Sequence, residues 1–290
     1  MRSRQGYTFV AHWIIGLVVF IIVPIFEAIR YSFSNVSIEA TGVEIEFAGL
    51  KHYKQLLFED PNYLNNLRDS FGNLMYTLPI ILSLSILFAV LLNQKFFGRT
   101  AARAVFFLPV ILATTNILSL MNSGNVRGSS IIVYSGAEYS YGSIIDFKSI
   151  LGDLDLPTKI IEVFSDYLQN VFQLIFDCGV QIILFLAGLQ SIPASFYEVS
   201  KIEGATKWEE FWFITIPMLR NIILLVIIYT MIEFFTKNSN LIIRQAYSIL
   251  QNNQVYDLSS AMLCFYFAIG LIIMGAIVFL YNKFCLKRWD

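Results

Sequence analysis

The chain has 290 residues, of which 57% are hydrophobic and 14% are charged, and its mean hydropathy is +0.64. This balance is too apolar for an ordinary soluble domain and indicates a membrane protein with several spans. The formal net charge of −1, with no concentrated basic region, argues against a nucleic-acid partner. The 3 cysteines lie in or beside apolar runs and the 2 histidines stand apart. We therefore predict no disulfide framework, no metal site, no catalytic residues and no cofactor.

Six apolar runs approach the roughly 20 residues that a helix needs to cross a bilayer core. They predict an all-α fold, with one transmembrane domain covering residues 1–290 and six membrane helices. The predicted spans lie at about 10–29, 71–92, 101–120, 171–190, 219–235 and 262–284. Two long acidic segments, 31–70 and 121–169, connect spans, and the second carries a weak helical signal at 159–168.

Lysine and arginine residues concentrate on one side of this arrangement. Eleven of the 20 basic residues lie in the termini and the shorter links, whereas the two long segments are net acidic. These eleven are Arg2, Arg4, Lys95, Arg99, Arg103, Lys201, Lys207, Arg220, Lys283, Lys287 and Arg288. Because basic loops remain on the cytoplasmic side, we predict that both termini and the link between spans four and five are cytoplasmic.

The link between spans four and five, residues 195–217, is called the elbow below. Ser195 and Glu198 have the spacing of a capping box, which predicts that a helix begins there. Gly204 is predicted to end this helix at a positive φ, because glycine tolerates left-handed backbone geometry. The apolar residues of the helix are spaced to share one face, and they are Phe196, Val199 and Ile202.

The second half of the elbow repeats the capping signal. Thr206 and Glu209 again have capping-box spacing, which predicts that a second helix begins directly after the glycine turn. Pro217 predicts a bend before the fifth span. The expected product is two short helices that meet at a glycine.

The elbow resembles the EAA loop of ABC importer permeases. The matching residues are Glu198, Val199, Ser200, Lys201, Ile202, Glu203, Gly204 and Ala205, followed by Phe211, Ile214 and Pro217. The preceding residues 185–193 resemble the end of the corresponding helix in the carbohydrate-importing subfamily. Val199 and Ser200 stand where this family usually has alanines, and Glu203 stands where aspartate is commoner.

In this family the EAA loop is a cytoplasmic coupling helix that docks on an ATPase subunit. The resemblance implies that the ATPase-coupling residues are Glu198, Lys201, Ile202, Glu203, Gly204, Ala205, Thr206 and Lys207. It also implies a prokaryotic cell membrane, a second homologous permease in a heterodimer, two ATPase subunits, and an extracellular solute-binding protein that delivers a carbohydrate. The chain has no Gly-x-x-x-x-Gly-Lys-Ser/Thr phosphate loop, so ATP hydrolysis is expected from the partner and this subunit is not expected to be an enzyme.

Polar residues in spans four and five predict a substrate cavity, because polar side chains at membrane depth usually face a bundle interior or a wet space. They recur at intervals of three or four residues, which predicts one polar stripe on each helix. Aromatic residues beside them can stack on the ring of a sugar. The predicted cavity residues are Gln173, Asp177, Gln181, Tyr229, Thr230, Glu233, Phe234 and Lys237. The alternative is that these side chains only hydrogen-bond neighbouring helices.

Two other classes of function compete with an ATP-driven carbohydrate importer. A secondary transporter or channel would need its own coupling-ion site and often has inverted repeats with broken helices. An intramembrane enzyme would need a cluster of nucleophile, base or metal ligands. The sequence carries neither set of signals clearly, whereas the elbow is what an importer permease requires.

Overall fold

The computed structural model describes residues 2–39, 42–94, 97–101, 103–104, 158–237, 240–253 and 255–283. The helices of the first part are α1 (Arg2–Leu17), α2 (Val23–Ser32), α3 (Lys51–Lys54) and α4 (Pro61–Asn93). Those of the second part are α5 (Thr158–Asp177), α6 (Gly179–Ser191), α7 (Ala194–Ile202), α8 (Lys207–Glu209), α9 (Ile216–Met218), α10 (Arg220–Thr236), α11 (Leu241–Asn253) and α12 (Tyr256–Tyr281). The π-helical segments Val18–Ile22, Gln55–Glu59 and Glu210–Thr215 continue neighbouring helices.

Within the described ranges, four helices are long and apolar enough to cross a membrane. They cover Val10–Ser32, Pro61–Asn93, Arg220–Leu250 and Tyr256–Tyr281, and they contain most of the predicted first, second, fifth and sixth spans. Many of their apolar side chains are exposed, which suits helices that contact lipid. The predicted third span, 101–120, lies almost entirely outside the described residues.

The first long polar segment contains a β-hairpin, so the chain is mostly helical but not all-α. Strands β1 (Ser34–Glu39) and β2 (Gly42–Phe47) are antiparallel, and Val36 pairs with Ile45. Apolar residues alternate along both strands, which is the period-2 pattern of a strand. The sequence prediction of an undivided polar loop overlooked this alternation.

The predicted fourth span is not one continuous helix. The chain is helical from Thr158 to Asp177, is interrupted at Cys178, and is helical again from Gly179 to Ser191. Glycine is a poor helix former, at about 1 kcal/mol less favourable than alanine, which is consistent with an interruption at this place. Helix α6 and helix α7 then form a pair bent by 67° and count as a fifth candidate span if taken together.

The described chain divides into two compact parts, whose boundaries fall within α4, α10 and α12. The part containing residues 1–72 and 235–273 has a buried polar cluster in which Asn240 Nδ2 donates to Ser70 Oγ at 2.9 Å and to the Tyr266 hydroxyl at 2.6 Å. In the same part, Asp257 accepts a hydrogen bond from the backbone N–H of Val36 and lies 3.6 Å from His52 Nε2.

The other part contains residues 73–234 and 274–290 and carries the elbow. Its core is formed by apolar side chains of α4, α6 and α10 together with Leu219, including the fully buried Ile182, Phe185 and Val226. Gly188 permits a close approach, because a Cβ at this position would lie 2.8 Å from Leu219 Cδ2. This packing fixes the start of α10 against α6, directly beside the elbow.

Candidate functional site

The elbow turns at Gly204. Its φ is 78°, and its N–H bonds to the carbonyl oxygen of Lys201 at 3.2 Å, while the N–H of Ala205 bonds to the carbonyl oxygen of Ser200 at 2.9 Å. These two bonds form a Schellman motif, in which glycine is the first residue beyond the helix and takes the left-handed conformation. The predicted glycine turn is therefore present in the structure.

Of the two predicted capping boxes, the structure contains the second. Thr206 Oγ1 accepts from the N–H of Glu209 at 3.3 Å, and Glu209 Oε2 accepts from the N–H of Thr206 at 2.7 Å. The predicted box at Ser195 and Glu198 is wrong, because α7 already begins at Ala194 with Pro193 as its N-cap residue and no side-chain cap. A serine that lies inside the first helical turn cannot be the N-cap residue.

The apolar face of α7 is exposed to solvent in this chain. Phe196, Val199 and Ile202 are all exposed, and Ile202 keeps 86% of its surface accessible. Among the other residues predicted for coupling, the exposed ones are Glu198, Lys201, Glu203, Gly204, Thr206 and Lys207, and Ala205 is half-buried. An apolar stripe with charged residues beside it is the usual composition of a protein-docking surface.

A buried hydrogen bond joins the two halves of the elbow. Ser200 Oγ, on α7, donates to Glu210 Oε1 at 3.1 Å, and both residues are nearly inaccessible, at 6% and 4% exposure. Lys207 Nζ donates to Glu210 Oε2 at 2.9 Å. The hydrogen bond from Lys207 is the largest influence on the Glu210 carboxyl group and lowers its pKa despite the opposing effect of burial, so this group is ionised at neutral pH.

A second contact joins the same two halves. The hydroxyl groups of Tyr197 and Thr215 are 3.0 Å apart, and Thr215 Oγ1 also donates to the carbonyl oxygen of Glu210 at 3.2 Å. Because the single hydroxyl hydrogen of Thr215 is used in that bond, Tyr197 is the donor to Thr215. The sequence prediction included neither this pair nor the Ser200–Glu210 pair, and the available signal was a serine where related sequences usually have alanine.

A second candidate site is a buried polar cluster between α6 and α10. Gln181 Nε2 donates to Glu233 Oε2 at 2.8 Å and to Thr230 Oγ1 at 3.3 Å. Thr230 Oγ1 in turn donates to the carbonyl oxygen of Val226 at 2.8 Å. The structure thus brings together three of the predicted cavity residues, one from the fourth predicted span and two from the fifth.

The amide of Gln181 has one unused hydrogen-bonding group among the described residues. Both of its N–H groups are occupied, because the hydroxyl oxygen of Thr230 and a carboxyl oxygen of Glu233 accept them. Its Oε1 is buried and accepts no hydrogen bond from any described residue. A buried acceptor without a partner is uncommon, and it is suited to a ligand that brings an O–H or N–H donor.

The remaining predicted cavity residues occupy several positions in the helices. Gln173 lies within α5, and Asp177 is the last residue of that helix. The predicted stripe from Gln173 to Gln181 crosses the one-residue break at Cys178, whose N–H still bonds to the carbonyl oxygen of Leu174 at 3.1 Å, and it stays a prediction. Five of the predicted cavity residues are half-buried, namely Asp177, Tyr229, Glu233, Phe234 and Lys237.

An apolar groove of about 680 Å³ lies between α4 and the second half of the elbow. Its lining includes Leu82, Ile86 and Phe185 with the indole rings of Trp208 and Trp212, and Ser83 is the polar side chain among the lining residues. A sugar needs hydrogen-bonding partners for its hydroxyl groups. This groove offers few of them, so the buried cluster around Gln181 is the better candidate for a carbohydrate.

Comparison with known proteins points to one family. The model of the family described as "Binding-protein-dependent transport system inner membrane component" matches residues 178–284, which include the whole elbow. The multiple sugar-binding transport system permease protein MsmF of Streptococcus mutans is 30% identical over 226 residues, which are 76% of this chain and 70% of that protein. The trehalose/maltose transport system permease protein MalF of Thermococcus litoralis is 30% identical over 237 residues, which are 80% of this chain and 74% of that protein.

The fold also resembles a solved structure. A chain from the crystal structure of a bacterial alginate ABC transporter, in complex with an alginate pentasaccharide-bound periplasmic protein, superposes with a TM-score of 0.64. The sequence identity is 17%, and the match covers 97% of this chain and 94% of that chain. At this identity the similarity demonstrates a shared fold along nearly the whole length.

Proposed function

Because the chain belongs to the binding-protein-dependent transport system inner membrane components, we propose that it is a permease subunit of an ATP-driven importer that moves a carbohydrate across a prokaryotic cell membrane. Several relatives are named as permeases for sugars or oligosaccharides. The subunit itself does not catalyse ATP hydrolysis. No observation favours the alternative of a secondary transporter or channel.

The observation that carries this proposal is the geometry of the elbow. A Schellman turn at Gly204 ends one short helix and a capping box at Thr206 begins the next, and the apolar side chains of α7 are left exposed. An exposed apolar stripe on a rigid helix suits insertion into a groove of a partner protein. We assign the ATPase-docking surface to α7 and the turn that follows it, residues 198–207, on the cytoplasmic side.

The substrate path is proposed to pass the polar cluster of α6 and α10. Gln181 Oε1 is the acceptor offered to a sugar hydroxyl group, while Thr230 and Glu233 hold the amide in place. Tyr229 and Phe234, on the same helix as Thr230 and Glu233, supply the aromatic surface that sugar rings commonly contact. Gln173, Asp177 and Lys237 stay predictions from the sequence.

The transport cycle proposed for this chain is alternating access, and it needs several partners. A solute-binding protein delivers the carbohydrate on the outer side to a pair of homologous permeases. Two ATPase subunits close when they bind ATP, and each elbow transmits this motion to the membrane helices. This chain supplies one elbow, so a second permease supplies the other.

The proposed assembly can be tested by purification from the native membrane. A tagged copy of the chain is isolated in mild detergent, and mass spectrometry identifies the proteins and glycans that accompany it. We expect to find a second permease and an ATPase. The total number of permease subunits should equal the number of ATPase subunits. A chain that is recovered alone or only as a homo-oligomer, without an ATPase, would contradict the proposal.

A further inference from the structure

The bend of the elbow depends on more than its backbone. Between α7 and α8 the chain has only a short connection that includes Gly204, and glycine is the residue with the greatest conformational freedom. The Schellman bonds and the capping box each end or begin one helix. Neither of them connects one helix to the other, so they do not determine the angle at which the two helices meet.

Two side-chain contacts do connect the halves of the elbow, and they lie on one face of α7. Tyr197 and Ser200 are three residues apart and therefore neighbours on the helix surface. Their partners, Thr215 and Glu210, lie at the two ends of the π-helical segment Glu210–Thr215. A π-helix has a hydrogen-bond period of five residues, and this period places Thr215 Oγ1 within 3.2 Å of the Glu210 carbonyl oxygen.

The charge on Glu210 strengthens this connection. Its carboxylate accepts from Ser200 and from Lys207, and hydrogen bonds to a charged group are stronger than those between neutral groups. Because Glu210 is only 4% exposed, water competes little with Ser200 for the carboxylate while the two halves are in contact. The opposite, apolar face of α7 remains exposed, so the contact leaves the proposed docking surface unobstructed.

We propose that the Ser200–Glu210 hydrogen bond fixes the angle of the elbow, with Glu210 as a positioning residue that determines how completely a movement of the docked ATPase reaches α10. This inference rests on the proposed function. It separates two properties that the elbow must have: the exposed face of α7 decides whether the ATPase binds, and the buried pair decides whether its motion is transmitted. Loss of the pair is therefore expected to uncouple the transporter without dissociating it.

The functional test uses the complete transporter, with both permeases, the ATPases and the binding protein, reconstituted in lipid vesicles. The variants are Glu210→Ala, which removes both hydrogen bonds to the carboxylate, and Glu210→Gln, which keeps an acceptor for Ser200. Glu209→Gln is the matched control, because this neighbouring carboxylate is exposed and glutamine also serves in a capping box. The measured quantities are the amount of ATPase that co-purifies and the number of sugar molecules imported per ATP hydrolysed.

We expect Glu210→Ala to retain the ATPase and to import about tenfold less sugar per ATP, which lies within the usual range of coupling between two sites. Glu210→Gln should recover most of this loss, and Glu209→Gln should match the wild type. Unchanged import per ATP in Glu210→Ala would overturn the proposal. Loss of ATPase binding in that variant would also overturn it, because Glu210 would then belong to docking.

A structural measurement tests the same inference independently of the transport function. Spin labels are placed at Ser195 and Phe213, which are exposed on opposite sides of the turn, in a chain whose 3 native cysteines are replaced. We expect a narrow distribution of distances in the wild type and in Glu209→Gln, and a broader one in Glu210→Ala. Equal widths would refute the positioning role even if transport is confirmed. If the wild type binds no ATPase and imports no sugar but the widths differ as expected, the proposed function fails and the fixed angle stands.

Discussion

Gly204 is the residue at which the chain turns from α7 into the second half of the elbow. Its φ of 78° is favourable for glycine and unfavourable for a side chain that is branched at Cβ. No described atom lies within 4 Å of a Cβ built at this position. A substitution here therefore acts through backbone strain and through whatever partner approaches the turn.

Gly204→Val is expected to leave the membrane helices inserted and to weaken ATPase binding. The strain of left-handed geometry is about 1–2 kcal/mol for a residue with a Cβ, and the turn can relieve it by changing the direction of the second helix. Co-purification of the ATPase and sugar uptake measure the effect. Gly204→Asn is the control, because asparagine tolerates this conformation better. A Gly204→Val protein that binds ATPase and imports sugar like the wild type would refute the coupling assignment.

Gln181→Leu is expected to impair uptake by removing the acceptor proposed for the sugar. Loss of one such hydrogen bond, about 1–1.5 kcal/mol, corresponds to roughly a tenfold rise in the sugar concentration needed for half-maximal uptake. Gln190→Leu, at an exposed position near the end of the same helix, is the matched control. Uptake is compared with the amount of assembled complex. If the assembled Gln181→Leu complex transports normally, the cluster only packs α6 against α10.

Some of these residue-level features are predictable from the sequence and others are not. The cap at Thr206 and the conformation of Gly204 follow from local spacing, because both involve hydrogen bonds within a few residues. The Ser200–Glu210 bond joins residues ten positions apart across a turn, and its formation depends on the angle of that turn. The cap predicted at Ser195 was wrong because the chain becomes helical earlier, after Pro193.

Helices α6 and α10 form the element pair on which both candidate sites depend. The polar cluster lies between them, and the elbow connects them in the sequence. Their close approach relies on Gly188, where even a methyl group would lie 2.8–2.9 Å from side-chain atoms of Leu219 and Ile222. In a close-packed interior, such an added group must displace its neighbours.

Gly188→Leu is expected to lower the stability of the detergent-solubilised protein, since overpacking costs about 1–3 kcal/mol. The midpoint of thermal unfolding should decrease, and the displaced start of α10 should also reduce uptake. Gly275→Leu is the control, because a Cβ built on Gly275 has no described atom within 4 Å. Equal unfolding midpoints for the two variants would show that α6 and α10 do not pack as closely as the structure indicates.

At the element level, long apolar helices were predicted better than polar segments. Hydropathy alone predicted spans at residues 10–29, 71–92 and 262–284, where the structure has long helices, because a long apolar run has few alternatives in a membrane. Helices α4 and α12 begin earlier than these runs, because their first turns carry polar groups that hydrogen-bond elsewhere in the chain. The Tyr63 hydroxyl donates to the carbonyl oxygen of Met262, and Asp257 accepts from the N–H of Val36. The hairpin of β1 and β2 was missed because its strands are short, at 6 residues each, and their alternation of apolar and polar residues was overlooked.

For the whole molecule, the orientation in the membrane is expected from the distribution of charge. The proposed importer needs the elbow on the cytoplasmic side, where the ATPases lie, and the hairpin segment on the outer side. Basic residues flank the elbow and the two long segments are acidic, as the positive-inside rule requires for this orientation.

Single cysteines at Phe58 and Glu203, both exposed, are expected to react oppositely with a membrane-impermeant reagent in intact cells. The cysteine at position 58 should be labelled from outside, and the one at position 203 only after the cells are permeabilised. The native cysteines are replaced in both proteins. Labelling of both positions from outside would contradict the proposed orientation and the docking of an ATPase at the elbow.

The most direct measurement of the proposed function is sugar uptake by vesicles that contain the purified complex, with the energy source varied. We predict that uptake requires ATP inside the vesicles, on the same side as the ATPases, and the binding protein outside them. Uptake should persist when ionophores abolish all ion gradients. Gly204→Val should reduce this ATP-driven uptake, because it weakens ATPase binding. Uptake by the permease alone, driven by an ion gradient and indifferent to ATP, would contradict the assignment.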